Sequence, residues 1–306
     1  MAPLANNPLE LRAARGRQGA LALGDYAQLV KPRIILLLVV TSYCAMVVAS
    51  HGLPSFWPSL LGTVGLALSA GGAHAVNMWY DRDIDALMAR TSDRPVPAGR
   101  VPATRSLALG IALEVLSFAL LLDLNLLTAL LSLAGFAYYV GIYTMWLKRR
   151  TPQNIVIGGG AGAFPPLVGW AAVTGHVSLA AIWMFLIIFL WTPAHFWSLA
   201  LYRQDDYRRA GVPMMPVARG ERATKVQALI YTLLLVVATL ALYLTGVVGT
   251  VYLAAAALLG LGFVAMCLRL FGEHPPAVRR AKATFGYSLV YLTLLFAAMV
   301  LNLRTF

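Results

Sequence analysis

Asn77-Met78-Trp79-Tyr80-Asp81-Arg82-Asp83-Ile84-Asp85 closes a long apolar run with three carboxylates in five residues. Acids are scarce elsewhere, since Asp and Glu together number 12 in 306 residues. On a helix, four residues advance about 400°, so Asn77, Asp81 and Asp85 drift only about 40° per step and share one face, while Asp83 points elsewhere. Carboxylates stacked in this way repel one another, and at the edge of an apolar phase they are costly to desolvate. A hard divalent cation relieves both costs. Mg²⁺ takes one or two carboxylates and completes its shell with water and substrate phosphate. His74, three residues before Asn77, falls on roughly the same face, where it either contacts a substrate or packs against the loop.

The apolar run before these acids is one of many. The chain is 60% hydrophobic and 12% charged, which excludes an ordinary soluble domain and indicates a polytopic, all-α membrane protein. Nine segments are long and apolar enough to span a bilayer, near 33–50, 57–77, 105–122, 125–146, 154–173, 178–199, 225–245, 249–270 and 285–303. The formal charge of +12 is arranged by topology rather than for nucleic acid. Of the 24 Lys and Arg residues, all but Arg304 lie in the leading segment or in the loops after the second, fourth, sixth and eighth spans. The opposite loops, near 51–56, 123–124, 174–177 and 246–248, hold none. The positive-inside rule therefore puts the N-terminus in the cytoplasm and, after nine crossings, the C-terminus outside. Residues 1–24 form a basic cytoplasmic segment without the apolar core of a secretory signal, and 25–306 form a single transmembrane domain. The bacterial inner membrane is the expected location, with a mitochondrial inner membrane as the alternative.

The two longest cytoplasmic loops resemble each other. The first runs from Asp81 and Asp85 through Arg94-Pro95-Val96-Pro97-Ala98-Gly99-Arg100 to Ala103-Thr104-Arg105. The second runs from Asp205-Asp206 through Gly211-Val212-Pro213-Met214-Met215-Pro216 and Arg219 to Ala223-Thr224-Lys225. Their spacing of four spans suggests a parallel internal repeat, two similar units facing each other across a central cavity. Asp205 and Asp206 would then supply a second Mg²⁺ position opposite the first, or form a solvated loop pair. Two cations at that point would neutralise a diphosphate from both ends.

Basic residues beside acids suit phosphate better than a bare cation. Arg33, Arg94, Arg100, Lys148 and Arg149 are the diphosphate-binding candidates, Arg by bidentate contact and Lys as a movable point charge. Glu114 is the carboxylate deepest within a predicted span, either a functional group or a protonated residue bonded to a neighbouring helix. His195, among aromatic residues near the inner end of the sixth span, would meet a haem propionate, ligate iron or bond to a loop carbonyl. Gly158-Gly159-Gly160-Ala161-Gly162-Ala163 follows no strand and is not a nucleotide loop; its small residues allow close helix contact or leave room for a bulky apolar substrate. Cys44 and Cys267 lie in apolar runs and form no disulfide framework or ligand set.

These residues resemble the UbiA superfamily of intramembrane prenyltransferases. The resemblance is carried by Lys31-Pro32-Arg33, Asn77-x₃-Asp81-x₃-Asp85, Arg94 to Arg100, Tyr143 to Arg149, Thr151-Pro152-Gln153-Asn154, His195-Phe196-Trp197 and Asp205-Asp206-Tyr207. The Thr-Pro-Gln-Asn and His-Phe-Trp stretches point within it to the branch that modifies haem. The resemblance implies a helical bundle around a central cavity. It also implies Mg²⁺ held by Asn77, Asp81, Asp85, Asp205 and Asp206, with farnesyl diphosphate as prenyl donor and haem B as acceptor. Haem A synthase would be a partner. His195 stands where quinone-pathway relatives begin the second motif with an aspartate, which makes it, with His74 and Glu114, a haem-side candidate. A prenyltransferase acting on a quinone precursor or chlorin is the nearest rival. A transporter is the rival of another class, and the placement of the charges at one membrane face counts against it.

Overall fold

The computed structural model describes residues 23–274 and 276–303. The segment expected over 1–24 falls almost wholly outside the described residues, as does Arg304. Among the described residues, nine helices are long and apolar enough to cross a membrane. In chain order they are α1 (Pro32–Ala49), α2 (Phe56–Tyr80), α3 (Ala103–Leu122), α4 (Leu126–Leu147), α5 (Asn154–Thr174), α6 (Leu179–Tyr202), α7 (Met215–Thr245), α8 (Thr250–Leu270) and α9 (Arg279–Leu301).

Local chemistry accounts for several of the boundaries. Pro32 opens α1 at a position where its missing N–H costs nothing. In the loops without Lys or Arg, Asn125 caps α4 by accepting from the Thr128 amide at 2.8 Å, and Ser178 caps α6 by accepting from the Ala181 amide at 3.2 Å. Three expected boundaries require correction. The second span does not carry the acids on one unbroken helix: α2 ends at Tyr80, Asp81 has φ −86 and ψ 7, and Arg82–Leu87 forms a separate short helix. The amides of Asp81 and Asp85 still bond to the carbonyls four residues back, so the shared face survives the break. The seventh span starts ten residues before the expected 225, with an interruption at Gly220 (φ 80, ψ 169). The ninth starts six residues before 285, because the Glu273 carboxylate accepts from the Arg280 and Ala281 amides and caps it. Apolar periodicity marks only the part of a helix that meets lipid, and both extensions are polar.

The helices pack as a closed set. Each meets its chain neighbours, α1 also packs against α5, α6 lies against α7 and α9, and α9 returns to α1. The largest core gathers around α6, with Met184, Ile187 and Trp197 fully buried. Outward, mid-helix Ile111, Val115, Val237, Leu258 and Leu261 are exposed, an apolar belt that only lipid would cover. The two long Lys- and Arg-rich loops pack on each other through Ile84, Met88, Tyr207, Val212 and Met214. Both contain a short helix, and both turn at a glycine of positive φ, Gly99 at 72 and Gly211 at 65, as the sequence similarity between them suggests.

Candidate active site

The face shared by Asn77, Asp81 and Asp85 is buried; Asp81 has no exposed surface at all. Asn77 donates from Nδ2 to Asp81 Oδ2 at 2.7 Å and to Thr144 Oγ1 at 3.1 Å, and its Oδ1 accepts from Lys31 Nζ at 3.0 Å. Lys148 pairs with Asp81 Oδ2, and Arg149 approaches Oδ1 at 3.4 Å. Arg94 pairs with Asp85 Oδ2 at 2.6 Å. The other oxygen of Asp85 is buried and accepts no hydrogen bond. Five cationic or polar side chains from three parts of the chain thus converge on three residues of one helix face.

Local structure brings these groups in. The last ten residues of α4, Tyr138–Leu147, are wound as a π-helix, and the Lys148 amide closes it on the Tyr143 carbonyl at 2.9 Å. That wide turn sets Thr144, Lys148 and Arg149 beside the acids, and π-turns are concentrated at functional sites. The glycine run of α5 is what lets it lie against this segment. A Cβ on Gly158 would stand 2.9 Å from Tyr143 Cγ, and one on Gly160 would stand 3.1 Å from the Tyr138 hydroxyl. Of the two readings of that run, close helix contact is the one seen at these two glycines.

Lys31 was absent from the residues expected to bind diphosphate, yet its ammonium reaches the centre of the site. It holds φ 54, a left-handed conformation that non-glycine residues seldom adopt. Burial pushes its pKa down to about 7, the charges of Arg94 and Lys148 push the same way, and Asp85 and Asp81 oppose them. Its place in the Lys31-Pro32-Arg33 stretch was the available signal, and Thr144 had one of the same kind in the stretch from Tyr143 to Arg149. Asp83, as expected, points away: it is exposed and takes a bidentate pair from Arg149 at 2.6 and 2.7 Å, whose hydrogen bonds hold its carboxyl below the ordinary range.

The remaining candidates are placed less centrally. Arg100 does not join the acids; it bonds to Asp25 and Asp93, each at 2.9 Å, and ties the loop to the segment before α1. Arg33 is exposed and forms no ion pair among the described residues. Asp206 is buried, pairs with Arg209 and accepts from the Ala89 amide at 3.2 Å, so it joins the second loop to the first. Asp205 is 82% exposed and pairs with Arg208. The two adjacent acids therefore face different ways. His195 is enclosed in the seam of α6 and α9, between the rings of Trp191 at 4.2 Å and Phe285 at 4.6 Å, with Nδ1 2.7 Å from Ser288 Oγ. Glu114 is buried on α3 beside Ser69 of α2. His74 is buried one turn from Asn77, with its ring edge-on to Tyr139 at 5.3 Å.

Among the described residues, no three His, Cys, Asp or Glu side chains converge as a ready metal cage. The donor set is instead amide plus carboxylate oxygens, with one carboxylate oxygen unpartnered. That chemistry fits a hard cation that draws its other ligands from water and phosphate. The cations against Asp81 and Asp85 fit phosphate oxygens equally well.

Comparison with known proteins gives the family and the fold. The profile of the UbiA prenyltransferase family matches residues 38–301. A protein of Symbiobacterium thermophilum described as protoheme IX farnesyltransferase is 55% identical over 290 residues, covering 94% of this chain and 97% of its own length. Among solved structures, a digeranylgeranylglyceryl phosphate synthase superposes with a TM-score of 0.76 at 18% identity, over 92% of this chain and 98% of that one. A UbiA homologue from Archaeoglobus fulgidus bound to GPP and Mg²⁺ gives 0.61 at 18% identity, over 90% of this chain and 99% of that one.

Proposed function

Because the chain belongs to the UbiA prenyltransferase family, we propose that it transfers the farnesyl group of farnesyl diphosphate to a vinyl group of haem B, giving haem O and diphosphate. The observation that carries the chemistry is the convergence of Lys31, Arg94, Lys148 and Arg149 on Asn77, Asp81 and Asp85. Acids alone would suit a metal ion, and bases alone a phosphate. Interleaved, they suit a metal–diphosphate complex at the mouth of an apolar interior.

Asn77, Asp81 and Asp85 would hold Mg²⁺, and the buried, unpartnered oxygen of Asp85 supports that fit. When bound, Mg²⁺ neutralises charge on the diphosphate and so improves it as a leaving group. Lys148 and Arg94 exchange their carboxylate partners for diphosphate oxygens, and Lys31 and Arg149 add positive charge at the same point. The C1–O bond breaks with its electron pair leaving on the diphosphate. Tyr139 and Tyr143, whose rings lie 5.4 Å apart beside the acids, offer aromatic faces to the allylic cation. The surrounding helices exclude bulk water that would quench it. The vinyl π pair forms the new C–C bond to C1, and a water molecule completes the hydroxyethylfarnesyl group. Arg33, Arg100 and Asp205 are left with supporting roles, in loop structure or at the surface, and Asp206 joins the two loops.

The reading further takes residues 25–306 as one transmembrane domain of a bacterial inner-membrane protein with a cytoplasmic N-terminus, and takes haem A synthase as the consumer of its product. The test is mass spectrometry of haems after purified protein is incubated with haem B, farnesyl diphosphate and Mg²⁺. Asp81→Ala and Asp85→Ala should each abolish haem O while the protein remains inserted, and chelation of divalent cations should do the same until Mg²⁺ is restored. Full turnover by the double variant would sink the mechanism.

A further inference from the structure

His74 is a buried side chain near the acids that the transfer step does not use. It is 6% exposed, and neither ring nitrogen has a hydrogen-bond partner among the described residues. A neutral imidazole has one donor and one acceptor, and leaving each unmet in the interior forfeits its hydration without a replacement. The contrast with His195 is direct, because that ring spends Nδ1 on Ser288 and is stacked on both faces. The contact that His74 does make, edge-on to Tyr139, satisfies neither nitrogen. Buried polar groups in this condition are ordinarily served by an internal water. Three residues along α2 separate His74 from Asn77, a rise of about 4.5 Å on the same face. Lys31 and Arg94 are the charged groups that act on the ring. A water held there would lie on the same helix face, one turn from Asn77.

On the farnesyl transfer proposed above, we infer that His74 holds the water that completes the reaction and accepts its proton. Attack of the vinyl π pair on C1 leaves positive charge on the vinyl carbon attached to the macrocycle. The water oxygen bonds to that carbon through a lone pair, and one of its protons passes to a His74 ring nitrogen, which returns it to solvent when diphosphate leaves. Farnesyl diphosphate, haem and water thus give hydroxyalkylated haem, diphosphate and one proton. Without His74, the same carbocation has a second exit: loss of a proton from carbon, giving an olefin lighter by one water.

The experiment compares wild type with His74→Gln and His74→Leu, following haem products by mass spectrometry and diphosphate release in the same reactions. The expected result is a fall in hydroxylated haem on the order of 10²-fold, with diphosphate release less affected, the KM for farnesyl diphosphate unchanged and the olefin appearing among the products. If His74→Leu does not fold, His74→Gln, which keeps a polar group of similar size, carries the same readouts. Hydroxylated haem as the sole product at the wild-type rate overturns the role of His74. So does a parallel loss of product and diphosphate release with a raised KM, which marks a packing residue. Wild-type protein that forms no farnesylated haem overturns the transfer reading itself.

Discussion

Asp85 is buried with one oxygen on Arg94, and its other oxygen has no hydrogen-bond partner among the described residues. Removing one member of a buried pair is worse than removing both, because the survivor is left as an uncompensated charge. Arg94→Met should therefore destabilise the protein, by at most about 3 kcal/mol given that the guanidinium is 22% exposed. The double variant Arg94→Met/Asp85→Asn should recover most of that loss while remaining inactive. Thermal unfolding in detergent, scored against haem O formation, checks both halves; a double variant less stable than Arg94→Met alone would contradict the pairing. At this scale the sequence supplied residue types but not partners. Arg94 and Arg100 lie six positions apart in one Pro-rich loop, and nothing in their spacing shows that one meets Asp85 while the other meets Asp25 and Asp93. Lys31 was hidden for the same reason, since its partner Asn77 is 46 residues away.

The elements that matter most are the irregular ones. The break after Tyr80, the π-helix of α4 and the two long basic loops each depart from regular helix where the charged groups meet. Asp206 fastens the loops together by accepting from the Ala89 amide, a bond that Asp205, exposed on the other side, does not make. Asp206→Ala should thus raise hydrogen exchange in the segment around Ala89 and increase the KM for farnesyl diphosphate several-fold, with Asp205→Ala close to wild type in both. Equal effects from the two substitutions would show that the acids act as a pair, as a second metal position requires. Gly220 offers a check on the α7 boundary. Its φ of 80 with ψ of 169 falls in a region essentially confined to glycine, so Gly220→Ala should cost about 1–3 kcal/mol, read as a lower unfolding temperature. Apolar periodicity locates spans well, but it cannot register these features, because a π-turn or a one-residue break leaves the hydrophobic count unchanged.

For the whole molecule, charge and hydropathy predict a topology that labelling can read. With Cys44 and Cys267 replaced, a cysteine at His176 should react with an impermeant reagent added outside intact cells, and one at Arg208 only after the membrane is opened. The reverse pattern would invert the assigned orientation, though not the fold. Nine spans and the acidic face at Asn77, Asp81 and Asp85 were determined by sequence alone, because each rests on local quantities: transfer free energy summed over about 20 residues, and the angular step of a helix. The family was legible separately, as a resemblance of motifs. Tertiary structure alone decided which groups answer those acids. It brought Lys31, Thr144, Lys148 and Arg94 to one point, set Asp206 and Asp205 on different sides of a loop, closed His195 into a seam and left His74 without a partner. The physical reason is that burial and pairing depend on contacts between segments far apart in the chain. A pattern read along one helix specifies its face but not what that face meets.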